Sequence, residues 1–329
     1  MNKLVLVGGG LLVIAAGAWF YSQKSAEDEV RKQLADANLT GVVTYEDLSY
    51  NPVSGTLTIY EPKVDLESAG IKDDDFRIEA IRINDVDNEE GTPTRLHLEV
   101  VGLQYDVLDL ARQNPDLQVP GVEGLDITPL EMLVTLGYRA MESNFNIEYD
   151  YEPADETLDL NLVAGTKGMG EVNFAISLGN VSQQIFELIA EMSGTVTGNV
   201  TGLELLGRLG PVMETVEKIT LANLRLSYDD DQLIKRMKRY EEVDYEYTHQ
   251  KERPEDDLDG LYREIHNDLL ETGVPDAMAK GFAENIVNFV RNPEHISFST
   301  NIVTPVRFSN MFGKSPGSTL TLLNAEVES

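Results

Sequence analysis

The sequence predicts an α+β protein, with an N-terminal single transmembrane helix followed by a large, mostly antiparallel β-sheet body with packed amphipathic helices. Three observations lead there. Leu4 to Tyr21 runs without a charge, apolar residues recur at alternate positions from Gly41 onward, and amphipathic stretches bounded by helix caps interrupt the alternating ones. A period of two marks a strand with one buried face, and recurrence at three and four residues marks a helix with one apolar face.

Residues 4–21 (LVLVGGGLLVIAAGAWFY) would rise about 1.5 Å each as a helix, roughly 27 Å in all, against a hydrocarbon core of about 30 Å. Trp19, Phe20 and Tyr21 end the run and Lys24 follows, an arrangement suited to the headgroup boundary. Two other readings compete. Ala16-Gly17-Ala18 has the small residues of a signal cleavage site, and a buried core helix is the third reading, although Gly8 to Gly10 make a poor one in water. A short N-terminal tail before a long body is the form of a signal anchor. The expected location is therefore the bacterial inner membrane, single-pass, with the C-terminal body in the periplasm.

The chain divides on this reading into a membrane anchor (1–24), a stalk helix (25–40), an N-terminal β-rich part (41–181) and a C-terminal α+β part (182–329) continuous with it. In the stalk, Ser25 is a cap, Glu27 to Glu29 fill the first turn, and Val30 and Leu34 share a face. Val43 to Tyr50 and Leu57 to Tyr60 flank Asn51-Pro52-Val53-Ser54-Gly55 and read as a hairpin. Phe76 to Val86 and Arg95 to Tyr105 are strands separated by an acidic loop, Asp85 to Gly91, and Asp106 to Gln113 is a short helix. Thr128-Pro129-Leu130-Glu131 has capping-box spacing and predicts a helix to about Met141.

A meander follows, with strands at Phe145–Tyr151, Leu158–Val163 and Val172–Leu178 and turns at Pro153–Glu156 and Gly165–Gly170. Ser182 caps a helix from Gln183 to Met192, and Thr195 to Val216 reads as two short helical pieces. Ile219 to Tyr228 is a strand, Asp229 to Asp231 cap a basic helix from Gln232 to Tyr240, and amphipathic helices span Asp257–Leu270 and Pro275–Arg291, broken at Gly273. Strands at His295–Val303, Val306–Ser309 and Thr319–Val327 close the chain.

The charge balance, 57 acidic against 26 basic residues for a net −31, repels phosphate backbones and sets nucleic acid aside as a partner. There is no cysteine, so disulfides and thiolate metal sites are excluded. Asp85, Asp87 and Glu89 alternate as in a calcium loop, but Glu90 and Leu96 occupy the positions that require glycine and glutamate. Gly165 to Gly170 lacks the order of a phosphate-binding loop. The histidines (97, 249, 266 and 295) show no HxxxH or HExxH spacing, His266 being expected on an exposed helical face, and no GxSxG elbow occurs. No catalytic, cofactor or metal residue is assigned.

Two constellations remain. Lys235, Arg236, Lys238 and Arg239 form a basic cluster fit to dock an acidic partner or a lipid headgroup, opposed by the neighbouring Glu241, Glu242, Asp244 and Glu246. Phe282, Ile286 and Phe289 share one helical face that meets either the sheet, as core, or an acyl chain, as a groove.

The segments ITLANLRLSYDDDQLIKRM and MAKGFAENIVNFVRNPEHISFSTNIVTPVRF, with a final apolar strand, resemble the C-terminal layout of inner-membrane-anchored envelope proteins of the YdgA type. LSYNPVSGTLTI is similar to strand-turn-strand segments of AsmA-like envelope proteins. The resemblance implies a single anchor, a periplasmic β-rich body and no catalytic residues to carry over; its AsmA side implies lipid handling. The expected function is a non-catalytic envelope protein with a structural or lipid-handling role, its partners being the membrane through residues 4–21 and either lipid or another envelope protein. The alternative is a membrane-tethered hydrolase using acidic residues.

Overall fold

The computed structural model describes residues 43–51, 53–64, 76–89, 92–113, 129–186, 214–248 and 258–329. The expected span at 4–21, the stalk at 25–40, His249, most of the helix expected at Gln183–Met192 and most of Thr195–Val216 lie outside the described residues. Among the described residues no helix is long and apolar enough to cross a membrane.

The protein is α+β, built on one large antiparallel sheet. β1 (Val43–Thr44) pairs with β4 (Lys63–Val64) as a separate ribbon, and between them β2 (Asp47–Asn51) and β3 (Thr56–Tyr60) form the expected hairpin. β3 pairs next with β6 (Ala80–Glu89), and the sheet continues through β7 (Thr92–Asp106), β8 (Ala140–Glu152), β9 (Thr157–Thr166), β10 (Gly170–Gly179), β11 (Thr220–Asp230), β12 (His295–Thr300) and β14 (Ala325–Glu328). Two short strands sit off this path: β5 (Phe76–Arg77) on β7, and β13 (Val306–Arg307) on β11. Neighbours in space follow the order of the chain, so the sheet is a meander interrupted by helical excursions. It crosses residues 181 and 182 without a break, through the β10–β11 pair.

Register produces one continuous apolar face. Leu57 pairs with Ile83, Ile83 with Leu98, Leu98 with Ile147, Ile147 with Leu162, Leu162 with Phe174, Phe174 with Leu226, Leu226 with Phe298 and Phe298 with Val327. A parallel row runs from Ile59 through Ile81, Val100, Phe145, Ala164, Val172 and Tyr228 to Ile296. At about 4.8 Å per strand these rows are about 40 Å long. Their covering is uneven. Ile81, Ile83 and Leu98 are fully buried, whereas Phe145, Val172 and Leu226 in the middle are 37%, 40% and 44% exposed.

The helices leave the sheet at its strand ends. After β7, the Asp106 carboxylate accepts the Asp109 amide at 2.9 Å and starts α1 (Val107–Gln113). α2 (Pro129–Thr135) is shorter than the helix expected to Met141, which lies instead in β8. Gly137 stops it: at φ +87 it lets the Gly137 and Tyr138 amides turn back to the Val134 and Leu133 carbonyls, a helix ending that glycine favours. α3 (Leu233–Thr248) is longer than expected, and its start is capped by Asp230 alone, whose carboxylate accepts the Ile234 amide at 3.1 Å. Asp229 binds the His295 imidazole instead, at 2.7 Å.

α4 (Leu258–Glu271) and α5 (Asp276–Arg291) form a hairpin close to its expected bounds. The strand expected over Thr319–Val327 is a helix, α6 (Pro316–Leu322), and then β14. Ser315 caps α6 by accepting the Ser318 amide at 3.2 Å, and Pro316 occupies the first turn, where its missing N–H costs nothing. Gly317 makes the fit possible. A Cβ there would lie 2.2 Å from the Gly273 carbonyl carbon, so α6 rests directly on the α4–α5 turn. The acidic loop expected at Asp85–Gly91 is mostly strand, because β6 runs to Glu89 through two register shifts around Asp87.

Candidate functional site: a half-covered apolar cleft

α5 lies over the C-terminal edge of the apolar face. Its period of three and four places Phe282 and Phe289 downward, each 7% exposed, with Phe282 edge-on to Phe298 at 6.3 Å and Phe289 edge-on to Tyr228 at 6.0 Å. Ile286, between them in sequence, is half-buried and does something different. It roofs a cleft of about 330 Å³ whose floor is Val172, Leu226, Tyr228, Ile296, Phe298 and Val327. The cleft thus separates the three residues grouped in sequence: two anchor the helix and one faces the space beneath it.

Val172 and Leu226, on β10 and β11, are the most exposed of the cleft's floor residues. The one polar group among the floor side chains of the apolar face is the Tyr228 hydroxyl, and it is spoken for. It donates to the Met169 carbonyl at 2.7 Å and lies 2.9 Å from the Asp230 carboxylate; burial, reinforced by that carboxylate, pushes its pKa up, so it stays neutral. An uncharged, carbon-lined space of this kind suits an apolar ligand and offers nothing to polarise a bond.

The opposite face of the sheet carries His97 and a group of acidic side chains. His97 Nε2 lies 3.4 Å from Glu99 and 4.0 Å from Glu148, Arg82 pairs with Glu99 at 3.2 Å, Asn161 donates to Glu148 at 3.4 Å, and the Ser177 hydroxyl donates to Asp159 at 2.5 Å. His97 and Ser177 both border a second cleft, of about 340 Å³. They sit on β7 and β10, three strand spacings or about 14 Å apart, too far for a base to reach a nucleophile. Among the described residues no group of three or more metal-ligating side chains could hold an ion.

The two other described histidines, His295 and His266, are tied locally. His295 pairs with Asp229, as above. His266, expected on an exposed face, is only 16% exposed in its side chain, lies 3.0 Å from Asp276 and stacks on Tyr262 at 5.8 Å. Asp276 also takes a 2.7 Å bond from Lys280. That bond, followed by the one from His266, holds the Asp276 carboxyl below its ordinary range.

The basic cluster is divided by the helix that carries it. Arg236 turns inward and lies over the Tyr138 ring at 4.3 Å, with a guanidinium nitrogen 3.4 Å from the Leu136 carbonyl at the end of α2. Lys238 reaches the Arg291 carbonyl at the end of α5, at 3.5 Å. Lys235 and Arg239 remain exposed. Four cations near one another in sequence are therefore two helix-end contacts and two solvated charges. We expect Arg236→Ala to lower stability by about 1 to 2 kcal/mol, the range of a desolvated cation–π contact, and Lys235→Ala to change it by less than about 0.5 kcal/mol; paired urea denaturation curves separate the two.

Fold and cleft together define a class: an antiparallel meander sheet with one apolar face, partly roofed by a helical hairpin. Residues 163–329, more than half of the chain, match a protein-family model described as "Uncharacterized protein", and the chain belongs to that family. The matched region runs from within β9 to the C-terminus and contains α5 and most of the cleft floor. A search of curated proteins gave no match.

Proposed function

We propose that this is a single-pass, inner-membrane-anchored envelope protein whose periplasmic body handles lipid without catalysis, receiving an acyl chain on the apolar face of its sheet. The observation that carries this reading is the half-exposed patch of the apolar face made by Phe145 and Val172 in one row and Leu226 in the next, of which Val172 and Leu226 also line the cleft under Ile286. Contiguous exposed apolar surface of this kind on a chain otherwise so acidic marks a binding site. The anchor is supported by the uncharged stretch at residues 4–21, and the resemblance to YdgA-type and AsmA-like envelope proteins agrees with it. The absence of catalysis is supported by the separation of His97 from Ser177 and by the carbon lining of the cleft.

The test is native mass spectrometry of the full chain released from membranes. Phospholipid is expected to remain bound, and Leu226→Glu, which places a charge at an exposed position of the cleft floor, is expected to remove it while the melting temperature stays within a few degrees. A wild-type chain that carries no lipid in any detergent-free preparation refutes lipid handling. Protease added to spheroplasts tests the topology separately: digestion of the body is expected, and protection until lysis would reverse the orientation.

A further inference from the structure

After residue 26, the longest stretch of this acidic chain without an acidic residue lies near its C-terminus. The sequence holds 57 acidic residues in 329 positions, yet none lies between Glu294 and Glu326, an interval whose Arg and Lys residues are Arg307 and Lys314. The structure gives that interval a place. β12 ends at Thr300 and β14 begins at Ala325, and β13 within the interval pairs Arg307 with Thr220, the first residue of β11. The connection therefore hangs on the strand ends that also carry the β2–β3 turn, where Asn51 pairs with Thr56. The chain enters the sheet at the other end, where Asp47 pairs with Tyr60. With strands such as the 13-residue β8, the two ends are about 40 Å apart.

This connection presents apolar tips on a firm base. Ile302, Phe308 and Met311 pack with Leu221, Val306 and Leu323, while Val303 is 96% exposed and Phe312 52% exposed. Arg307 and Lys314 are exposed beside them and make no ion pair among the described residues. The nearest acids are few: on the α4–α5 turn, against which α6 rests, they are the exposed Glu271 and Asp276, the latter bonded to Lys280 at 2.7 Å. Glu214 is paired with Lys218 at 3.2 Å, Glu217 precedes β11 and Glu326 lies on β14. Glu152, Asp155 and Glu156 lie at the β8–β9 turn, three or more strand spacings from β12 and so about 14 Å or more away, beyond the screening length of about 8 Å at physiological salt.

We propose that residues 301–314 are a docking surface for an anionic phospholipid bilayer, with Val303 and Phe312 entering the interface and Arg307 and Lys314 meeting lipid phosphates. The net charge of −31 repels such a surface from most directions, so the segment that itself lacks acidic residues favours a single approach. Exposed valine and phenylalanine beside unpaired cations match a surface that is anionic outside and apolar just beneath. This contact is independent of the acyl-chain reading of the cleft, since it uses the end of the sheet and not its face.

The chain has no native cysteine, so one probe can be placed at a time. Val303→Cys, Phe312→Cys and, as a control at the same end, Asp155→Cys are labelled with an environment-sensitive fluorophore in the full chain, incorporated in phosphatidylcholine nanodiscs so that residues 4–21 are already in lipid. Vesicles of phosphatidylcholine with phosphatidylglycerol are expected to shift emission to the blue at 303 and 312 and to leave 155 unchanged. Pure phosphatidylcholine vesicles are expected to do neither. Arg307→Glu with Lys314→Glu should weaken binding about tenfold or more, since each cation near an anionic surface contributes about 1 kcal/mol, with no change in melting temperature. Silent probes at 303 and 312, an equal response to both vesicle types, or undiminished binding after charge reversal would each overturn the proposal. A chain that stays soluble without nanodiscs removes the anchor, and the same probes then read the docking surface directly.

Discussion

Phe289→Ala is expected to destabilise the body by about 3 to 5 kcal/mol, and Phe282→Ala by a similar amount, the range for truncating a buried phenylalanine. Both rings are nearly inaccessible and both meet an aromatic partner on the sheet, Tyr228 for Phe289 and Phe298 for Phe282. Each truncation removes the burial and an edge-to-face contact of about 0.5 to 1.5 kcal/mol, and it leaves a void between α5 and the sheet. Ile286→Ala supplies the contrast. Its side chain already borders empty space, so less packing is lost, and the consequence belongs in ligand retention. Urea denaturation of the three variants reads the difference directly; near-neutral stability for both phenylalanine variants would mean that α5 does not anchor as described.

How much of this was legible beforehand varies by element, and the reasons are physical. The α4–α5 hairpin was readable because its caps and its apolar period are local: Gly273 and Pro275 mark the break and Phe282, Ile286 and Phe289 mark the face. The meander was readable from its alternation and turn residues. α6 was misread because Thr319 to Leu322 alternates like a strand. The decisive signals were Ser315-Pro316, a helix start, and the contact of Gly317 with the Gly273 backbone, which no local pattern contains. α2 was overextended because the capping box fixes where a helix begins, while its end was set by Gly137.

The cleft was legible only on its helical side. Ile286 could be chosen from periodicity, but its floor brings together Val172, Leu226, Phe298 and Val327, which are scattered over four strands and meet only through register. A period-two pattern says that one face is apolar; it does not say which part of that face the helices leave bare. Arg236 shows the same limit from the other direction. Its neighbours Lys235, Lys238 and Arg239 gave it the appearance of a surface charge, whereas its contact with Tyr138 depends on how α3 is rotated against the end of α2.

Gly170→Ala should be a severely damaging single-atom change outside the apolar core, lowering stability by about 2 to 6 kcal/mol. Gly170 opens β10 at φ +142, a conformation that costs a residue with a side chain about 1 to 3 kcal/mol. A Cβ there would also lie 2.2 Å from the Asp229 carbonyl oxygen and 2.8 Å from the Tyr228 ring. Overpacking of this kind adds about 1 to 3 kcal/mol, and backbone cannot swing aside as a flexible side chain would. Moving β10 away from β11 strains a local network as well. The Asp231 amide donates to the Met169 carbonyl at 3.0 Å, the Gly168 amide to the Asp231 carboxylate at 2.6 Å and the Tyr228 hydroxyl to the Met169 carbonyl, and these bonds fix where α3 begins. Gly281→Ala is the matched control with the opposite sign. Gly281 lies within α5 with nothing within 4 Å of an added Cβ, so alanine should stabilise by about 0.5 to 1 kcal/mol through helix propensity alone. Chemical denaturation of both variants, with hydrogen exchange at the amides of 168 and 231 as the local readout, gives the comparison. Wild-type stability in Gly170→Ala, with those amides still protected, would show that the β9–β10 turn does not press against β11 in solution.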